Sequence, residues 1–95
     1  MNATQFAALL VAAGVHEHVA HFVWDEFQPY YFRPLTPHPE DRPIGEFRID
    51  PDDLSDIVTA FEKQFDRKWF GEWIGSDDPT LAEFALGLSA STRTQ

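Results

Sequence analysis

The sequence predicts an all-α fold, a small helical bundle of three to four helices, from three observations. Between Ile49 and Phe65 an N-cap residue, a proline and apolar residues at helical spacing coincide. Apolar residues also keep helical spacing from Phe6 to Phe27, and a third set follows a threonine start at Thr80. Each stripe must bury itself against another element, and a bundle supplies the partner. No reaction can be read from the chain.

Thr4 is the expected N-cap of the first helix, with Phe6, Leu9, Leu10 and Ala13 on its apolar face. Gly14 interrupts that stripe, and Val15, Val19, Phe22, Val23 and Phe27 resume it in a slightly different phase. Glycine costs about 1 kcal/mol relative to alanine inside a helix, which buried stripes on both sides outweigh. The reading is one helix bent at Gly14. Pro29 ends it, because the residue before a proline is pushed out of the α region.

From Gln28 to Arg48 the chain carries five of its seven prolines, at 29, 34, 37, 39 and 43, beside the cluster Tyr30, Tyr31 and Phe32. A connection this long inside a small domain is unusual and tends to be functional or mobile. The aromatic cluster is expected to anchor it on the bundle. PLTPHP is a weak match to a groove-binding proline motif, so a packed connector is preferred.

Asp50 then serves as N-cap and Pro51 as the first helical residue, where a missing N–H costs nothing. Leu54, Ile57, Val58, Phe61 and Phe65 form one stripe ending near Phe65 or Asp66. The other faces carry Asp52, Asp53, Asp56 and Glu62, the aspartates lying in the first turns where the helix dipole favours negative charge. Trp69, Phe70, Trp73 and Ile74 are expected to form a short helix or turn that fills one end of the core. The last helix opens at Asp78 with Pro79, or at Thr80 with Glu83 completing a capping box. Leu81, Phe84, Ala85 and Leu88 face inward, and the helix ends near Gly87 or Leu88. Residues 1–88 thus read as a single helical domain and 89–95 as a disordered tail.

Ninety-five residues suffice for one core, and 43% hydrophobic with 15% aromatic content argues for a folded chain. Sixteen acidic against seven basic residues leave a net charge of −9. That balance argues against nucleic acid and points to a basic protein partner. There is no cysteine, hence no thiolate metal site, disulfide or Cys nucleophile. The apolar run near the N-terminus has no Lys or Arg before it and soon meets His16, Glu17 and His18. It is read as a helix of a cytoplasmic protein rather than a leader, and no segment has the roughly 20 apolar residues a membrane span needs.

The order of parts resembles the acyl carrier protein fold, mainly over residues 49–88. Ala60, Phe61, Glu62, Lys63, Gln64 and Phe65 are similar to the closing run of the carrier's acidic second helix. Thr80, Leu81, Ala82 and Glu83 are similar to the opening of its last helix. Small bacterial carrier-like proteins of unknown function share the Asp-Pro-Asp-Asp type of opening. The resemblance implies an acyl-carrier-like topology with a long Pro-rich loop after the first helix. In an ungapped register Asp50 falls on the carrier's aspartate and Pro51 on the serine that would receive phosphopantetheine. Proline has no hydroxyl, so no cofactor is expected. Ser55, the nearest hydroxyl, stands a full turn away.

What the resemblance leaves is docking of the acidic helix on a basic partner through Asp52, Asp53, Asp56 and Glu62. The alternative is an acidic immunity or inhibitor protein that blocks a basic, nuclease-like active site. Against both stands the plain reading of a solvated acidic face, since a surface charge pair is worth about 0 to 1 kcal/mol. His18, His21 and Asp25 share a helical face and have spacing that permits a metal, with His38 as a distant fourth ligand. Exposed histidines are the commoner outcome, and the HExxH arrangement is absent. No general acid or base, phosphate loop or nucleophile elbow stands out, so the chain is not expected to be an enzyme.

Overall fold

A computed structural model describes residues 1–69, 78–90 and 92–93. Among them are four α-helices: α1 (Ala3–Ala12), α2 (Glu17–Phe27), α3 (Pro51–Phe65) and α4 (Leu81–Ser89). A 3-10 turn over Gln28–Tyr30 follows α2 directly. Two short strands, β1 (Arg67–Lys68) and β2 (Thr92–Arg93), pair antiparallel with Arg67 opposite Arg93. The result is a small helical bundle. Phe70, Trp73 and Ile74 lie outside the described residues, whereas Trp69 packs half-buried against the core. The pairing of β2 falls within the stretch whose composition predicted a loose tail.

The expected single bent helix is two helices. Gly14 adopts φ 103°, its N–H donates to the Val11 carbonyl, and the Val15 N–H donates to that of Leu10. This Schellman arrangement closes α1, and the buried Val15 and Leu10 side chains supply its apolar contact. A continuous helix cannot pass through that φ. The start also moves, from Thr4 to Asn2, whose side chain accepts the Gln5 N–H while the Gln5 side chain accepts the Asn2 N–H.

Although Ile49 to Phe65 is the best-marked stretch of sequence, the centre of the packing is α2. Its Trp24 meets Phe6 of α1, its Phe22 meets Phe61 and Phe65 of α3, and its Phe27 meets Phe84 of α4, at centroid distances of 5.3 to 5.7 Å. Val19, Ala20, Phe22, Val23, Trp24 and Phe27 are all buried. They span roughly 200° of the helix circumference at 100° per residue, enough to face three neighbours. The predicted α3 stripe is buried at Leu54, Ile57, Val58 and Phe61, with Phe65 at its margin.

The long connection is built into the fold as a cap for α4. The carbonyls of Asp41 and Pro39 accept the N–H groups of Leu81 and Ala82, at 2.8 and 2.9 Å. Thr80 Oγ1 accepts the N–H of Glu83, whose carboxylate accepts that of Thr80. The first-turn donors that a helix leaves unsatisfied are therefore all engaged. Pro37 and Pro43 are fully buried, and Tyr31 packs at a tilt against Phe47 with ring centroids 4.7 Å apart while donating to Asp41 at 2.7 Å. Of the expected aromatic anchors, only Tyr31 holds the loop in this way. Phe32 is 87% exposed, because it sits at the start of a turn closed by the Leu35 N–H on its own carbonyl.

Candidate functional site

The four predicted partner-binding residues are on α3, but they do not form one patch. Asp50 caps the helix by accepting the Asp52 N–H at 2.9 Å, and Pro51 occupies the first helical position. Asp52 and Asp56 follow one turn apart and are both exposed, forming a ridge. Asp53 is half-buried, with Tyr30 of the 3-10 turn in reach of its charge. Its charge and that of Asp56, together with Glu26, act on the Tyr30 phenol, which burial first and these carboxylates second raise above its ordinary pKa.

Glu62 stands on the opposite flank and is turned inward. Its carboxylate accepts the Trp69 backbone N–H at 3.1 Å, so it is engaged in holding the chain that leaves α3. There it lines a groove of about 440 Å³ with Ile44, Leu54, Ser55, Val58, Thr59 and Trp69. Apart from Glu62, sequence reasoning assigned these groove residues no shared site. A trace of it was visible, because Ser55, Thr59 and Glu62 recur at i, i+4 and i+7 beside the apolar stripe.

Gly45 and Arg42 brace the groove's loop side. The Gly45 N–H donates to Asp78 Oδ1 at 3.0 Å, and Arg42 donates to the Asp78 carbonyl. A Cβ on Gly45 would lie within 2.5 Å of Asp78 Oδ2, so any side chain here would push the Asp78 carboxylate away from the Gly45 N–H.

The histidines are dispersed over the surface. His18, His21 and Asp25 are exposed on α2, but His18 lines a depression with His16 and Arg67, whereas His21 lines another with Glu17. His38 accepts the Glu40 N–H within the loop. Among the described residues no group of three or more His, Asp or Glu side chains is placed to hold a metal. No helix among them is long and apolar enough to cross a membrane. In comparisons with protein families, curated proteins and solved structures, nothing matches this chain.

Proposed function

We propose that this protein is a non-enzymatic, acidic protein-binding module that docks on a basic partner through α3. In the order of its parts it is carrier-like, without an attachment serine. The observation that supports this best is the Asp52 and Asp56 ridge. Two carboxylates stand one turn apart at the exposed start of a helix, and among the described residues no cation pairs with either. Asp53 extends the negative field towards Tyr30. Glu62 has a structural task in holding Trp69, so the docking set narrows to three aspartates. Such a field acts on encounter rate and partner choice more than on affinity.

The experiment compares retention of basic proteins by the immobilised full chain with that by Asp52→Lys/Asp56→Lys. A partner held by the native chain should be lost on charge reversal and kept by Glu62→Gln. Equal retention by the reversed chain would remove the ridge from the account. The partner's identity then separates an acyl-transfer enzyme from a nuclease-like target of inhibition. Incubation with coenzyme A and a promiscuous phosphopantetheinyl transferase should leave the mass unchanged, since Pro51 offers no hydroxyl; an adduct on the exposed Ser55 would restore a carrier role.

A further inference from the structure

The two most exposed large apolar side chains among the described residues, Phe32 at 87% and Leu35 at 61%, belong to one turn, in which the Leu35 N–H donates to the Phe32 carbonyl at 2.9 Å. The ends of such a turn lie within about 7 Å of each other, so both side chains can enter one site together. The turn is held on either side. Tyr31 before it donates to Asp41, the Met1 ammonium donates to Thr36 Oγ1 at 3.1 Å, and Pro37 after it is fully buried. An apolar tip fixed in this way loses little conformational freedom when a surface covers it, and aromatic and arginine side chains are the usual anchors of protein contacts. Arg33, exposed within the turn, is the one charged residue in the stretch 28–37.

The groove beside α3 has the complementary character. Ile44, Leu54, Val58 and Trp69 give it apolar walls, Thr59 stands at an exposed position on its edge, and Glu62 is the one charged residue among the described lining. A benzene ring fits a cavity of about 150 Å³, so a space of about 440 Å³ has room for the Phe32 ring and the Leu35 side chain together. Glu62 accepts the Trp69 N–H through Oε2, and a carboxylate so engaged keeps its charge and its other oxygen for a guanidinium. One cation thus stands among the apolar side chains of the tip, and one anion among those of the groove. The tip does not fill the groove of its own chain, since the Phe32 ring is in water.

We infer that this protein associates with a second copy of itself, the tip of residues 32–35 in one copy seated in the α3 groove of the other, with Arg33 against Glu62. Asp52 and Asp56 take no part in this contact and its test contains no basic partner, so this reading and the docking proposal fail separately. Sedimentation equilibrium of the full chain at rising concentration should show reversible self-association, in salt sufficient to screen the repulsion between two copies of net charge −9. Phe32→Ser removes the ring of the tip, and Thr59→Arg sets a bulky cation in the groove. Each should weaken association about tenfold, with helix content by circular dichroism unchanged because both positions are exposed. An equimolar mixture of the two variants should associate more strongly than either alone, since it joins the intact groove of one to the intact tip of the other. Should Thr59→Arg not fold, Ser55→Arg, at another exposed position of the groove, takes its place. A chain that stays monomeric to concentrations on the order of millimolar would overturn the inference and leave the tip to a different protein. Association that survives both substitutions, or a mixture no stronger than its components, would overturn the contact.

Discussion

Tyr31 donates to Asp41 Oδ2, which also accepts the His38 N–H, so one carboxylate organises both sides of the loop. Burial first, and the Asp41 carboxylate second, push the Tyr31 phenol far above its ordinary pKa. The folded protein therefore keeps this proton where the unfolded chain has lost it. The stability so contributed is whole below about pH 10 and is lost as pH rises through that value towards the folded pKa. Urea unfolding between about pH 9 and 11 should show the native protein losing stability more steeply than Tyr31→Phe. That variant should start about 1 kcal/mol less stable for want of one hydrogen bond. Parallel profiles would mean that the phenol is solvated.

At Gly14 the cost of substitution is conformational. A Cβ there would meet Leu86 at an ordinary 3.6 Å, but φ 103° is a region that side chains rarely adopt. Gly14→Ala should lower stability by about 1 to 2 kcal/mol, measured by thermal unfolding; a neutral result would mean the turn between α1 and α2 relaxes freely.

At the level of elements, α3 and α4 were the most legible, because their starts combine local chemistry with periodicity. Asp50 with Pro51, and Thr80 with Glu83, satisfy their own helix ends and need no distant partner. Phe61 is fully buried at the centre of its stripe, within 5.7 Å of Phe22 and 4.9 Å of Phe65. Phe61→Ala should cost about 3 to 5 kcal/mol, and a near-neutral denaturation midpoint would place this face outside the core. The division at Gly14 was harder to read, since apolar residues on both sides suit a bent helix and two helices equally. The central place of α2 was hidden for another reason. Ala20 and Trp24 lie outside the narrow stripe of Val19, Phe22, Val23 and Phe27, and only the neighbours show that three sides are covered. In the candidate site, the exposure of Asp52 and Asp56 followed from helical spacing. The engagement of Glu62 did not, because it depends on the chain's turn back after α3, where Asp66 takes φ 53°.

At the scale of the molecule, α3 carries only negative charge in its opening turns and mixed charge at its far end, where Glu62 and Asp66 stand beside the cations. Asp50, Asp52, Asp53 and Asp56 stand at its beginning, while Lys63 is in its last turn and Arg67 and Lys68 follow in β1, opposite β2 with Arg93. Four of the seven Lys and Arg residues thus gather at one end of a helix about 22 Å long. The acidic end and the depression of His16, His18 and Arg67 are consequently separate surfaces. A partner that recognises the acidic end should associate more slowly as salt rises, with dissociation changing less. Stopped-flow rates at two ionic strengths check this, and salt-independent association would place the contact elsewhere.

The loop carbonyls over the start of α4 have a consequence for deuterium uptake. Amides in the opening turn of an ordinary helix exchange readily, since no carbonyl of their own helix covers them. Those of Leu81 and Ala82 are instead covered by Asp41 and Pro39, about forty positions earlier, so they should be slow to label and should speed up together whenever that distant segment lifts away. Fast labelling of this pair in the intact protein would show that the cover is seldom in place.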